Sequence, residues 1–582
     1  MSTNTELATI FQEMADILAL QGANSFRVSA HARVARELAD LSTDVRTLVE
    51  RGEDLTTYEG IGDKSAKKIS EYLETGHITE HETLKAAVPA GLLAILAVPG
   101  LGPKTVRLMW EQAGVTDVAS LRAQMDAGVI EQLPRMGAKT VENIRTALAF
   151  LETSADRVRL GAALPVAESM LTTLRAVPGV IEAAFAGSLR RGCETIGDID
   201  LLVATTDPDA AGEAFRTMDG VVQVLAAGAT KSAVRLGSGL QVDLRVVEEA
   251  SYGAALLYFT GSKQHNVRLR ERAVKRGLRL NEYGLFPDDG THDEAPQRRG
   301  IAPVAARTEE EIYAAVDLPW IPPELREDRG EFTAALPDLI TCDDIRAELH
   351  AHTTASDGRL SIEALVAEAK RRGYHTIAVT DHSRSSVLAN GLDVERLRAH
   401  VDAIRAVDAK TKGIRVLAGA EVDILVDGDL DYDDETLAML DLVVASPHVS
   451  LKQDRAKATA RILAAVRHPL VHIIGHPTGR FVGRREGLDL DLDVIIAAAV
   501  EHDTALEINA NNVRLDLRDT HVRAAVEAGA LIAINTDAHG AEHFDELRYG
   551  VLTGRRGWLT ADRCVNAWPA RRLHDWIAAK RP

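Results

Sequence analysis

The sequence predicts a multidomain protein: an all-α amino-terminal region, a central α+β region, and a carboxyl-terminal α/β domain built largely on parallel strands. Three observations carry this expectation. Residues 1–150 are short amphipathic segments separated by three similar Gly-centred breaks. Residues 183–247 hold apolar strands around an aspartate-bearing turn. From about residue 343, apolar strands alternate with helical patterns, and seven successive strands end in or near His, Asp or Glu.

The length of 582 residues exceeds one compact domain. Hydrophobic residues at 46% and charged residues at 26% are ordinary globular values, which excludes a disordered or fibrous chain. Cys193, Cys342 and Cys564 lie too far apart for a disulfide scaffold or a cysteine-rich zinc module, and fit a reducing compartment. No stretch approaches the roughly 20 apolar residues of a membrane span, and the start shows no basic-then-apolar leader. A cytoplasmic protein without membrane contact is expected. The net charge of −19 by itself disfavours a nucleic-acid binder. That argument weakens if carboxylates serve metal ions and basic residues are locally concentrated, and the motifs meet both conditions.

The three breaks are Tyr58-Glu-Gly-Ile-Gly-Asp-Lys64, Val98-Pro-Gly-Leu-Gly-Pro-Lys104 and Leu133-Pro-Arg-Met-Gly-Ala-Lys139. A Gly-x-Gly turn opening a helix points backbone N–H groups outward, and the helix N-terminus adds partial positive charge. Plain helix connections with Gly for tight packing would explain one such loop. Three with the same Gly–Lys spacing predict sequence-independent contact with a DNA backbone. The contact residues are Gly60, Gly62 and Lys64; Gly100, Gly102 and Lys104; Gly137 and Lys139, with Arg135 replacing the first glycine of the third. The pattern resembles helix-hairpin-helix DNA-binding motifs, one in residues 1–85 and the others in 86–150.

In the central region Gly187-Ser188 turns after an apolar strand, and Gly197-Asp198-Ile199-Asp200 opens the next. Residues i and i+2 of a strand share a face, so Asp198 and Asp200 project together, about 7 Å apart by strand rise. Adjacent carboxylates repel unless a cation joins them, which is the arrangement for two-metal phosphoryl transfer. An acidic strand edge beside a solvated turn is the alternative. Gly187, Ser188 and Arg191 are placed to receive a triphosphate through a backbone N–H, a hydroxyl and a fixed cation. The third carboxylate is expected on an adjacent strand, at Asp243 in Gln241-Val-Asp-Leu-Arg245.

These motifs resemble the nucleotidyltransferase superfamily. Tyr258-Phe-Thr-Gly-Ser262, Asn266, Arg270 and Asn281-Glu-Tyr283 narrow the resemblance to family X DNA polymerases across residues 1–315. It implies a palm at 151–255 and a thumb at 256–318. By it, Asp198, Asp200 and Asp243 hold two Mg2+ ions, and Ser188 and Arg191 bind the incoming triphosphate. Gly187, Gly197 and Gly261 belong to the same nucleotide site. Tyr258 and Phe259 flank the sugar, and Asn266 and Arg270 lie near base and template. Two positions depart from the family pattern: Gln241, often arginine, and Lys263, often aspartate. The basic stretch Lys263–Arg279 can face a phosphate backbone. Lys68 matches the lyase lysine of the family, beside Lys64 and Lys67, where a lysine cluster would favour the neutral amine.

Residues 319–342 read as a linker and 343–582 as one domain. The strand ends carry His350-Ala-His352, Asp381-His382, Glu421, His448, His476, Glu507 and Asp537-Ala-His539. That end is where β/α barrels build active sites. Histidines and carboxylates without cysteine suit zinc, manganese or iron. The constellation resembles the PHP (polymerase and histidinol phosphatase) domain, a distorted (β/α)7 barrel. The resemblance assigns His350, His352, Asp357, His382, Glu421, His448, His476, Asp537 and His539 to a multinuclear Mn2+ or Zn2+ cluster. Asp381 is expected to orient a neighbour, and Arg480 either to grip a phosphate or to face solvent.

Taken together, the chain resembles a bacterial family X DNA polymerase with a carboxyl-terminal PHP domain. The implied protein is a cytoplasmic, nucleoid-associated monomer that uses dNTPs to fill gapped or nicked DNA in base-excision or break repair. A metal-dependent 3′–5′ exonuclease would lie in the same chain. The alternatives are a PHP phosphatase of small esters with a degenerate polymerase region, and a non-catalytic DNA-end binding protein.

Overall fold

The computed structural model describes residues 3–580 except 41–44, 59, 97, 99–100, 135, 154–156, 289–293 and 486. Gly100 and Arg135 of the Gly-centred loops therefore lie outside the described residues. The chain forms two compact units, 1–155 and 156–582. Among the described residues no helix is long and apolar enough to cross a membrane.

The first unit is helical. Each Gly-centred break precedes a helix: Asp63–Thr75, Pro103–Ala113 and Ala138–Thr153. Gly62 and Gly102 cap the first two in extended conformation. The apolar residue before each of these glycines is an anchor: Ile61, Leu101 and Met136 are buried. Burying that residue turns Gly62, Gly102, Gly137, Lys64, Lys104 and Lys139 outward, and all six are exposed. Gly60 has φ +94°, a conformation only glycine adopts freely.

The second unit begins with a small antiparallel pair, β1 (Val158–Arg159) with β3 (Thr195–Ile196). The palm sheet contains β2 (Val180–Phe185), β4 (Asp198–Thr205), β5 (Val221–Ala227), β6 (Lys231–Leu236) and β7 (Gln241–Val247) in the order β2-β4-β7-β6-β5. The central strands β4 and β7 run parallel and pair Asp200 with Asp243. The thumb carries β8 (Leu278–Asn281) and β9 (Gly284–Pro287) behind the basic helix Lys263–Val274.

Seven parallel strands follow: β10 (Ala347–Glu348), β11 (Thr376–Val379), β12 (Arg415–Asp423), β13 (Leu442–Ser446), β14 (Ile473–Ile474), β15 (Ala505–Asn509) and β16 (Ile532–Asn535). They lie in sequence order, and a parallel bridge between Ala351 and Ala538 joins first to last, so the sheet curls into a barrel. Inward apolar residues such as Leu417, Val444 and Ile473 pack with Trp568, Leu573 and Trp576. Helix Ala570–Ala579 thereby plugs the end where the strands begin and leaves the other end for polar side chains.

The expected linker 319–342 is packed, not free. Arg326 is fully buried and pairs with Glu309, while Trp320 and Tyr313 stack near its guanidinium. Glu331 accepts from buried His265, and Glu324 from Arg555 of the barrel. The acidic composition that reads as a linker supplies partners for buried cations.

Two candidate metal centres

In the palm the strand register performs what the spacing predicts. Asp198 and Asp200 share a face of β4, and Asp243 stands opposite Asp200 on β7. Burial, then the neighbouring carboxylates, raise Asp198 and push Asp200 up to about 7. Such mutual repulsion asks for a cation. Asp243 is held by Lys231 Nζ at 2.8 Å and by Gln241 Nε2 at 2.8 Å. Gln241, where the family often has arginine, thus orients the third carboxylate without adding charge. Gly187 has φ +61°, and a Cβ there would lie 2.3 Å from Asp200 Oδ2.

A cleft of about 510 Å3 opens beside these aspartates. It gathers Gly187, Ser188, Arg191, Tyr258, Phe259, Gly261, Asn266 and Arg270, eight of the residues expected at a nucleotide site, together with Lys263. Gly197 is not in its wall; the residue sits where β3 turns into β4, facing Arg157. Tyr258 and Phe259 meet edge to face with ring centroids 5.2 Å apart, and Asn266 Nδ2 donates to the Tyr258 carbonyl at 2.7 Å. Arg191 is held by Glu327 at 2.9 Å. Arg190 turns away into a pair with Glu309. Arg157 also lines the cleft and escaped the sequence reading. Its signal is positional: it precedes β1, which pairs with the strand leading into the aspartates. A larger groove of about 1010 Å3 continues from Tyr258 and Arg270 along Arg279, Asn281 and Tyr283.

Lys68 lies 2.8 Å from Glu80 Oε2 and 3.1 Å from His31 Nε2. Its contacts are an acid and an imidazole rather than the expected lysines.

At the open end of the barrel, the residues expected as ligands converge. Glu421 lies at the centre, 2.8 Å from His382, 2.9 Å from His476, 3.3 Å from His448 and 3.4 Å from His350. Asp537 approaches His352 at 3.0 Å, and Asp357 approaches His539 at 3.3 Å. Three groups have ligand atoms close enough for one ion each: His352, Asp357, His382 and His539; His350, His352 and Asp537; His382, Glu421 and His448. His352 and His382 each belong to two of these groups, so the groups overlap, and His476 lies outside all three.

The donor set fits metal ions. His350 Nε2, His352 Nδ1 and Nε2, His382 Nδ1, His476 Nδ1, Glu421 Oε2 and Asp537 Oδ1 are buried and make no hydrogen bond, because the close approaches of His382 to Glu421 and of His352 to Asp537 lack hydrogen-bond geometry. So many orphaned lone pairs in one place are costly unless cations take them. Burial would lower the imidazoles; nearby carboxylates outweigh it at His382, pushed up to about 11, and at His448 and His539, pushed up to about 9, whereas burial prevails at His352, lowered to about 4, and at His476. The site selects positive charge, whether as protons or as ions. Two carboxylates orient the ligands from behind: Glu507 takes His350 Nδ1 at 2.8 Å, and Asp423 takes His448 Nδ1. Glu507 was read among the strand-end residues but not as a ligand, and Asp423 was not singled out from sequence. Asp381 accepts from the Thr353 N–H and from His400 and stays behind the ligands, as expected of an orienting residue. Arg480 neither faces solvent nor points into the site; it is buried against Glu194 at 2.6 Å.

Comparison with known proteins covers both centres. Family models for a helix-hairpin-helix domain match residues 2–78, for a SAM-like helix-hairpin-helix tandem 92–149, for a DNA polymerase beta thumb 255–327, and for a PHP domain 348–511. The chain is 38% identical to the DNA polymerase/3′-5′ exonuclease PolX of Bacillus subtilis, over 97% of each protein. Its barrel is 32% identical to the probable phosphatase YcdX of Escherichia coli, over 39% of this chain and 92% of that protein. The Shigella dysenteriae YcdX matches at 30% over the same shares.

Proposed function

The chain belongs to the PolX family of DNA polymerase/3′-5′ exonucleases, and on that premise we propose that it extends primer ends in gapped or nicked DNA and trims 3′ ends at the barrel centre. The observation that carries the reading is the coexistence of two complete donor sets, Asp198, Asp200 and Asp243 in the palm and the His/Asp/Glu cluster of the barrel.

In the palm, Ser188 and Arg191 receive the triphosphate of a dNTP, and Gly187 keeps the approach to Asp200 clear. Tyr258 and Phe259 flank the sugar, where a 2′-hydroxyl would meet the paired rings. Asn266 and Arg270 sit toward base and template. The three aspartates hold two Mg2+ ions, which when bound activate the primer hydroxyl and neutralise the departing pyrophosphate. The exposed Gly-Lys loops of residues 1–155 grip the DNA backbone independently of sequence.

In the barrel, His350, His352, Asp357, His382, Glu421, His448, His476, Asp537 and His539 hold Mn2+ or Zn2+ ions, which when bound supply the Lewis acid for hydrolysing a terminal phosphodiester. Glu507 and Asp423 fix the tautomers of His350 and His448. The enzyme acts in short-gap repair, as a monomer, in the cytoplasm at the nucleoid.

A one-nucleotide-gapped DNA with a labelled, mismatched 3′ primer end tests this, with Mn2+ and with or without dNTPs. Extension is lost in Asp243→Ala and kept in His350→Ala; shortening shows the reverse. The matches to probable phosphatases favour a second reading, hydrolysis of small phosphate esters. Extension without any shortening, with phosphate released from small esters, would establish that reading for the barrel.

A further inference from the structure

Behind the nucleotide cleft lies a smaller pocket of about 130 Å3 between palm and barrel. Four guanidinium groups line it, from Arg157, Arg329, Arg518 and Arg556, against two carboxylates, Glu194 and Asp519. It adjoins the cleft, because Arg157 and Cys193 belong to both walls.

The carboxylates are already engaged. Glu194 pairs with Arg480 at 2.6 Å, and Asp519 with Arg556 at 2.8 Å and Arg329 at 3.2 Å. Arg157 directs Nε and Nη2 to Thr195. The Arg518 backbone carbonyl accepts from Val522, but its guanidinium Nε is buried without a hydrogen-bond partner. It also starts the helix Asp519–Ala528, whose first N–H groups add positive potential. A half-buried guanidinium with no hydrogen-bond partner for its buried Nε, in a pocket lined by four guanidiniums and two carboxylates, calls for an oxyanion. The volume equals about four waters and accommodates one phosphate group, beside the cleft with which it shares Arg157 and Cys193.

We propose that this pocket binds a phosphate oxyanion, with Arg518 of the barrel as its principal ligand. The pyrophosphate released by nucleotide addition at the adjoining cleft is one source, and free orthophosphate the other. The pyrophosphate source rests on the polymerase reading; the site itself does not. The barrel then contributes to the polymerase half by receiving its leaving group.

The test is calorimetric titration of the full-length protein in Mg2+ with inorganic pyrophosphate and, separately, with orthophosphate. Wild type, Arg518→Met, Arg518→Lys and Asp243→Ala are compared, with melting curves to confirm folding. Pyrophosphate binding is expected in wild type and in Asp243→Ala, about tenfold or more weaker in Arg518→Met, and partly restored in Arg518→Lys. Equal dependence on Arg518 for orthophosphate, at equal affinity, supports the site and names free phosphate as its occupant. Binding unchanged in Arg518→Met but lost in Asp243→Ala would place the anion in the cleft and overturn the proposal, as would no binding to wild type. Primer extension is scored separately. Its absence, with Arg518-dependent binding intact, would remove the polymerase reading and leave the site.

Discussion

Arg191 in the nucleotide cleft and Arg556 in the barrel share one carboxylate oxygen, Oε1 of Glu327, each at 2.9 Å. Arg556 also donates to the Arg191 carbonyl at 2.9 Å. The cation expected to meet the triphosphate is thus aimed by a residue of the packed strap and steadied by the other catalytic domain. Burial alone would raise the Glu327 carboxyl; Arg556 and Arg191 outweigh it and hold it down at about 2. A depressed carboxyl stabilises the fold fully above its ordinary value of 4.5, and that contribution is lost as pH falls toward about 2. Glu327→Gln should cost about 3 kcal/mol at neutral pH, because it leaves two guanidiniums short of a buried partner. Denaturant melts should show the gap to wild type closing as pH drops through that window, and the KM for dNTP should rise. A pH-independent gap would sink the assignment.

Gly187 is set by Asp200, not by the turn alone. Gly187→Ala places a methyl where the carboxylate stands and strains a positive φ. Primer extension should fall about a hundredfold, the order expected for displacing a reacting group by an ångström. Trimming of 3′ ends by the same preparation should be unchanged.

Glu507→Gln and Asp423→Asn preserve shape while removing the charge behind His350 and His448. Each should lower metal affinity or 3′-end hydrolysis about 10- to 100-fold. Metal content after dialysis, read alongside activity, separates loss of ions from loss of chemistry. Extension should persist in both.

The exposed lysines of the hairpin loops make a salt prediction. Replacing Lys64, Lys104 or Lys139 by alanine should each reduce the slope of log affinity against log salt by about 1. Fluorescence anisotropy with gapped DNA across a salt series measures it. An unchanged slope in the triple variant would mean that these loops do not touch phosphates.

The convergence of the candidate ligands was readable in the sequence because metal chemistry restricts residue type and the barrel restricts position. A histidine pair at one strand end and an Asp-x-His at another have few other uses when they recur strand after strand. Asp243 was readable through alternation, since a parallel register with β4 could place only one face beside Asp200. Arg480 was not readable. Its partner Glu194 lies 286 positions earlier in the chain, and no local pattern announces a pairing made by two domains packing together. The strap around Glu327 misled for the same reason: acidic composition looks alike whether the charges face water or buried arginines. Asp423 and Glu507 lie within strands, where a carboxylate behind a ligand has no spacing rule of its own. Lys68 matched by position, but its neighbours Glu80 and His31 are a tertiary fact.

The bridge between Ala351 and Ala538 has a consequence for the order of assembly. His350 and His352 leave the ribosome almost two hundred residues before Asp537 and His539, yet the first and last strands must meet before the four can face one another. Such long-range closure is slow compared with local helix formation. A chain cut before β16 would lack Asp537 and His539 of the hydrolytic centre and also Arg556, which steadies Arg191 in the palm. Neither the hydrolytic centre nor the full support of the nucleotide cleft can therefore form until the last strand and the helix after it have emerged.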